Sequence, residues 1–278
     1  MTTIDQAIRQ ATRQLQPASE SAALDARLLL AHVLGVSTTA LYRDARKVLT
    51  PALLEQFDTC IERRAAGEPI AYITGHCGFW TLDLMVNADV LIPRPDTETV
   101  VQAALNVLPD TALTLADLGT GSGAIALALA SERPQWTVTA TDISAPALAC
   151  ARANARRLQL DRIRFVPGRW FDPLEQQRFH AIVANPPYVA LGDSHLDAPE
   201  LRHEPQRALV AGNNGLAELA YIIRHATDHL EPGGSLLLEH GYDQAGAVAG
   251  QLARAGFRDI DTHTDLAGRA RVTLGRRG

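Results

Sequence analysis

The stretch Leu113-Thr114-Leu115-Ala116-Asp117-Leu118-Gly119-Thr120-Gly121-Ser122-Gly123-Ala124-Ile125-Ala126-Leu127-Ala128-Leu129-Ala130 decides the fold. A short apolar run reads as a buried strand. The glycine-rich residues after it permit a tight turn and close backbone approach to a ligand. The alanine-leucine run that follows is a strong helix former. Strand, glycine loop and helix in that order open a doubly wound α/β sheet. The spacing is G-x-G-x-G, which differs from the dinucleotide fingerprint G-x-G-x-x-G, and no lysine follows to make a phosphate-cradling loop. A second acid, Asp142, ends the next strand-like run, Thr137-Val138-Thr139-Ala140-Thr141. An acid there is placed to accept hydrogen bonds from a ribose diol.

Further along, Asn185-Pro186-Pro187-Tyr188 follows the apolar run Ala181-Ile182-Val183-Ala184. It therefore reads as the carboxyl end of another buried strand, where open α/β sheets bind ligands. The string offers an amide oxygen, backbone carbonyls outside any helix, and an aromatic ring. Together these can grip a planar N–H₂ group. Asn and Pro also form ordinary strand-ending turns.

Around these two loops the chain alternates. Candidate strands are 113–117, 137–141, 163–166, 181–184, 235–239 and 270–274. Candidate helices are 96–108, 124–131, 145–158, 215–230 and 243–255. That rhythm predicts an α/β fold with a mostly parallel sheet. The first 66 or so residues read as a small helical bundle. Ser19 is the expected cap of a helix through Leu34 that Gly35 stops, and Thr50-Pro51 starts another. Gly67-Glu68-Pro69 breaks the helical pattern. Residues 76–92 alternate loosely and read as a β-hairpin, with Asn87-Ala88-Asp89 near its turn or second strand. The expected division is a helical domain over 1–75, the hairpin over 76–92, and the α/β domain over 93–278.

The chain has 278 residues, a net charge of −5 and 46% hydrophobic residues, enough for a packed core and unlike a dedicated nucleic-acid binder. Cys60, Cys77 and Cys150 are scattered, with no zinc spacing, as expected for a reduced, cytoplasmic setting. The amino terminus lacks the pattern of a signal peptide, and no stretch approaches the roughly 18 apolar residues of a membrane span. His225 and His229 lie four apart on a predicted helix without a third ligand, so a solvated face is expected, as it is for Arg152, Arg156 and Arg157. No metal site is expected.

Taken together, Asp117–Gly123, Asp142 and Asn185-Pro186-Pro187-Tyr188 resemble a class I S-adenosylmethionine-dependent methyltransferase. Three further segments narrow the likeness: Ile92-Pro93-Arg94-Pro95-Asp96-Thr97-Glu98; Gly67-Glu68-Pro69-Ile70-Ala71-Tyr72-Ile73-Thr74-Gly75; and Glu204-Pro205 with Ala208-Leu209, Gly212 and Gly215-Leu216. With these, the chain is similar from end to end to the HemK-type protein-(glutamine-N5) methyltransferases of peptide chain release factors. The resemblance implies a Rossmann-like sheet behind a helical domain that docks the protein substrate, and S-adenosylmethionine as cofactor. It implies that Gly119, Thr120, Gly121, Ser122 and Gly123 lie along the cofactor and that Asp142 holds the ribose. Trp170 would lie near the adenine, and a core aromatic is the other reading of it. The acceptor would be the glutamine of a Gly-Gln-Gly loop in a release factor. A monomer without stable nucleic-acid binding or membrane attachment is expected.

An amide nitrogen is a poor nucleophile because its lone pair is delocalised. In this reading Asn185 Oδ1 and the Pro186 carbonyl each accept one N–H of the substrate amide. Proline's locked φ aims its carbonyl in advance. Pro187 completes the loop, and Tyr188 packs on the amide plane. Positioning of this kind contributes about 7–11 kcal/mol. Arg94, Asp96 and Glu98 either shape the substrate mouth or start a helix, with Asp96 as cap. Three other functions compete. An adenine-N6 nucleic-acid methyltransferase uses the same motif but needs a base-flipping, basic surface. A non-catalytic cofactor-binding module would not need Asn185 and Tyr188. A nicotinamide dehydrogenase is disfavoured by the glycine spacing.

Overall fold

Five helices form within the first 76 residues: α1 Ile4–Leu15, α2 Ala22–Leu34, α3 Thr38–Arg43, α4 Pro51–Ala65 and α5 Ile70–Thr74. A capping box between Thr3 and Gln6 starts α1, and the Thr50 hydroxyl accepts the Leu53 N–H to start α4. Ile4, Leu15, Leu29, Leu30, Phe57 and Ile61 close one buried cluster. Ser21, not Ser19, precedes α2, and neither serine caps it. Both hydroxyls instead donate to the Asp25 carboxylate, at 2.7 and 2.8 Å. That carboxylate is buried and also receives Arg64 Nε at 2.7 Å, a charge-assisted partner that outbids a backbone cap. These hydrogen bonds and Arg64 hold the Asp25 pKa below its usual value despite burial.

The computed structural model describes residues 1–278 and falls into two units. The helical unit is Met1–His76 together with a distant segment, Asp197–His203, and the remaining residues form the α/β unit. Within the helical unit, Arg64 Nη2 donates to Glu200 at 2.8 Å.

The hairpin is shorter than the sequence suggests. Its strands are β1 His76–Phe79 and β2 Leu82–Met85, turning at Trp80-Thr81. Asn87-Ala88-Asp89 lies beyond both strands. It forms a separate turn in which Asn87 Oδ1 accepts the Asp89 N–H at 3.0 Å. Then follow α6 Glu98–Val107, β3 Thr114–Leu118, α7 Ala124–Glu132, β4 Thr137–Asp142, α8 Ala145–Arg157, β5 Arg164–Pro167 and β6 Phe179–Ala184. The short strands β7 Val189–Ala190 and β8 Val210–Ala211 pair with each other. The chain ends with α9 Ala217–His229, β9 Leu230–Glu239, α10 Ala245–Arg254, β10 Phe257–Thr264 and β11 Ala270–Arg277.

The seven-stranded sheet has the order β10-β11-β9-β6-β3-β4-β5. Strands β5, β4, β3, β6 and β9 are parallel, and β11 runs against both its neighbours. Sequence periodicity misses β10 because Phe257-Arg258-Asp259-Ile260-Asp261-Thr262-His263-Thr264 is mostly polar, as suits an edge strand. Strand order reverses between β3 and β6, the topological switch point where such sheets bind ligands. Every residue from Ala124 to Ala130 is buried, because α7 packs between the sheet and its neighbours.

Candidate active site

Register builds the site. Leu118 pairs with Thr141 on one side and Ala184 on the other, and Ala184 pairs with Leu238. The next residues of these four strands, Gly119, Asp142, Asn185 and Glu239, therefore form one row along the carboxyl edge. Of the residues expected from sequence, Gly119, Gly121, Asp142, Trp170, Asn185 and Pro187 line one cavity of about 200 Å³. Thr120, Ser122, Gly123, Pro186 and Tyr188 do not line it. Of these, the Thr120 hydroxyl is tied to Asp117 and the Tyr188 hydroxyl to Glu239, neither of which lines the cavity.

The glycine loop is fastened from beneath by Asp117. Its Oδ2 accepts from the Thr120 hydroxyl at 2.6 Å and the Ala126 N–H at 3.2 Å, while Oδ1 has no partner. Burial pushes the Asp117 carboxyl up to about 7. The Gly119 and Thr120 N–H groups both reach the Thr141 carbonyl at 2.9 Å. A Cβ on Gly119 would stand 2.8 Å from Trp170 Cζ3, so the indole lies directly on this backbone. A Cβ on Gly121 would meet nothing within 4 Å, because it would project into the cavity. Asn154, fully buried, donates to the Ser122 carbonyl at 3.0 Å and to the Met85 carbonyl at 2.9 Å, tying loop to hairpin.

Asp142 accepts one backbone N–H on each oxygen, Gly121 at 2.9 Å and Ser144 at 2.8 Å. A carboxylate has about four acceptor positions, so lone pairs remain for a diol. Burial raises the Asp142 pKa, against the pull of those two bonds and Arg207. Trp170 has φ +46° and donates its indole N–H to Glu218 at 2.7 Å. Arg169 donates to the same Glu218 oxygen at 2.8 Å. Ile143, Ala147 and Ala208 add apolar wall, and Arg207 adds a charge. The pieces fit S-adenosylmethionine: a bare backbone patch at Gly121, an apolar wall beside an indole, and a carboxylate with spare acceptors.

The Asn185 loop is held by distant side chains. Asn185 Nδ2 donates to the buried Thr97 hydroxyl at 3.0 Å. The Tyr188 hydroxyl donates to Glu239 Oε1 at 3.0 Å, and Gln244 Nε2 donates to the Tyr188 carbonyl at 3.0 Å. Burial leads the rise of the Tyr188 pKa, with the Glu239 charge adding to it. Gly215, at φ +82°, passes so close that a Cβ would fall 2.1 Å from the Tyr188 carbonyl oxygen. Glu204, also buried, accepts the Ile92 N–H at 3.1 Å and pairs with Arg94.

Other expected roles change. Asp96 does not cap a helix but pairs with Arg271 at 2.7 Å, and Glu98 accepts the Trp80 N–H at 2.7 Å. His225 and His229 are half-buried, not a solvated face. His229 stacks on Phe171 at 4.6 Å and His225 lies against Tyr221 at 4.5 Å, contacts that replace lost water with ring surface. Arg152 donates to the Phe165 carbonyl and Arg157 binds Asp83, so two of the three arginines on α8 are anchored. Sequence reasoning missed Thr97, Asn154, Glu218 and Glu239 as site residues. Only Thr97 had a local signal, its place in Pro95-Asp96-Thr97-Glu98.

This sheet order and this cleft define a class I methyltransferase fold. A methyltransferase from Pyrococcus furiosus shares it, with a TM-score of 0.55 at 19% identity over 72% of this chain and 90% of that one. Residues 6–75 match the PrmC N-terminal domain family, and residues 98–242 match the methyltransferase small domain family. The release factor glutamine methyltransferase of Pseudomonas aeruginosa is 48% identical over 259 residues, 93% of this chain and 94% of that protein. Its counterpart in Coxiella burnetii is 45% identical over the full length of both. The chain belongs to the release factor glutamine methyltransferase family and is an S-adenosylmethionine-dependent methyltransferase. No helix is long and apolar enough to cross a membrane.

Proposed function

We propose that this chain methylates the side-chain nitrogen (N5) of the glutamine in a Gly-Gln-Gly loop of a peptide chain release factor, in the cytoplasm and as a monomer. The supporting observation is the anchored Asn185. Its Nδ2 is engaged by Thr97, which leaves Oδ1 as the acceptor at the cavity wall. An acceptor there suits an N–H₂ group.

When bound, S-adenosylmethionine supplies a methyl group activated by a sulfonium centre. Gly119 and Gly121 would hold it along the loop that Thr120, Ser122 and Gly123 complete, Asp142 would accept from its ribose, and Trp170 would wall its adenine. Asn185 Oδ1 and the Pro186 carbonyl accept the two amide hydrogens. This enriches the nitrogen and turns it toward the donor, and correct positioning is worth about 7–11 kcal/mol. Pro187 and Tyr188 shape the wall against water. The proton lost from nitrogen leaves to solvent. The segment 1–75 is the release-factor docking domain, 76–92 the linker and 93–278 the transfer domain. Stable nucleic-acid binding is not part of this reading.

The test is transfer of labelled methyl to a release factor, to the same factor with the Gly-Gln-Gly glutamine changed to alanine, and to duplex DNA. Label on the unaltered factor alone supports the proposal. Label on DNA would make this an adenine methyltransferase instead.

A further inference from the structure

Behind Asn185 lies a buried polar chain with no part in the scheme above. Thr97 and Glu239 are 4% and 0% exposed, and they reach the loop from two elements remote in sequence. The Thr97 hydroxyl has one proton to give. Its neighbours there are Asn185 Nδ2, itself a donor, and the Glu239 carboxylate. Oε1 of that carboxylate is already taken by the Tyr188 hydroxyl, while Oε2 is buried without a hydrogen-bond partner. Leaving a buried carboxylate oxygen bare is costly. Because Asn185 Nδ2 donates to the Thr97 hydroxyl, a Thr97 lone pair faces Asn185 and the Thr97 proton is left free for the bare Glu239 oxygen. A lone pair can only receive a donor, so the amide must present Nδ2 inward and Oδ1 to the cavity.

We propose that Thr97 and Glu239 are positioning residues that fix which end of the Asn185 amide faces the acceptor substrate. The inference rests on the amide-gripping reading of Asn185. An amide side chain is nearly symmetric in shape, so packing alone does not choose between its oxygen and its nitrogen. The choice comes from hydrogen-bond polarity. Reversed, Asn185 would show a donor to the donors of a substrate amide and repel it. The same carboxylate anchors Tyr188, so one buried charge sets both ends of the loop.

Protonation of Glu239 reverses the chain. A protonated carboxyl donates to Thr97, whose own hydrogen then seeks the Asn185 oxygen. The groups facing Glu239 are Tyr188 and Thr97, with Arg271 on β11 favouring its charge and Asp96 opposing it. Burial is the larger influence and lifts its pKa to about 7. The device therefore switches within the ordinary working range of pH.

The test uses the full-length enzyme, S-adenosylmethionine and a release factor. Thr97→Val keeps the shape and loses the hydroxyl, and Glu239→Gln keeps the shape and loses the charge. Each is expected to lower kcat about 10- to 100-fold with KM for S-adenosylmethionine unchanged. Thr97→Ser restores the rate. The rise of kcat with pH near 7 disappears in Glu239→Gln. Independently of activity, one Asn185 side-chain amide proton in the free protein exchanges slowly with solvent, and Thr97→Val abolishes that protection. A folded Thr97→Val enzyme with wild-type kcat and unaltered Asn185 exchange overturns the inference. If Asn185→Ala retains full activity, the amide-gripping reading falls instead, while the exchange measurement still decides whether Thr97 orients the side chain.

Discussion

The two loops at the carboxyl edge are built in opposite ways. The glycine loop is held from nearby: Asp117 reaches residues three and nine positions away, and the loop's cavity face is bare backbone. The Asn185 loop is held from afar, by Thr97, Glu239 and Gln244 at separations of 88, 51 and 56 residues. A cofactor that is the same at every turnover can be met by a rigid local loop. In the proposed function, an acceptor that arrives on another protein would be met by side chains whose orientation the whole domain sets.

The contrast predicts a graded series. Asn185→Ala should have the largest effect, a loss of about 100- to 1,000-fold in kcat, of the size seen when one key polar contact is removed. Its melting temperature and cofactor Kd should stay near wild type. If cofactor binding collapsed as well, the two loops would not be separate devices. Gly215→Ala comes next. A methyl cannot fit beside the Tyr188 carbonyl, so overpacking of about 1–3 kcal/mol adds to about 1–2 kcal/mol for a left-handed non-glycine residue. Urea unfolding reads the first effect, and the transfer rate reads the displaced Tyr188.

Asp117 gives a pH test of the glycine loop. Its folded pKa of about 7 lies above the unfolded value of 3.8. Its contribution is thus intact below the unfolded value and is lost as pH rises through the folded one. Wild type should lose stability relative to Asp117→Asn as pH goes from about 4 to about 7, by at most about 1.4 kcal/mol per pH unit. A constant difference across that range would show that the loop does not rest on a strained carboxyl. The smallest structural effect belongs to Gly121→Ala, about 1–2 kcal/mol for its φ of +57°, since nothing in the protein meets the new methyl. Calorimetry should nevertheless show weakened S-adenosylmethionine binding. Gly119→Ala, which strikes Trp170, should cost more in both measurements.

The same contrast explains what was legible in the sequence. The strand–glycine loop–helix unit could be read because its constraints are local, and so could Asp142, which ends the neighbouring strand. Asn185-Pro186-Pro187-Tyr188 was visible as a string, but the partners that orient it were not. Glu239 ends the apolar run of β9, and nothing in that run distinguishes it from a solvent-facing acid. Only the pairing of Ala184 with Leu238 brings it beside Asn185. Glu218 was hidden likewise in a helix whose face toward Trp170 is set by packing. The hairpin was overextended because Val86 and Val90 continue an alternating pattern after the backbone has left the strand. Edge strand β10 was lost because an exposed strand needs few apolar residues.

The helical unit is not a detachable cassette. Its sequence is interrupted: Asp197–His203, beginning nine residues after Tyr188, returns to it, where Arg64 grips Glu200 and Gly67 leaves room for Pro199, whose Cβ would sit 3.1 Å from a side chain placed there. A gene trimmed to begin at residue 77 would still encode that strap but would strip it of Arg64 and of the space at Gly67. In sequence the strap runs directly into Glu204, Pro205 and Arg207, the last two of which line the cavity. Lost methylation in a truncated enzyme would then be ambiguous about docking. A domain exchange between relatives has to carry both pieces together.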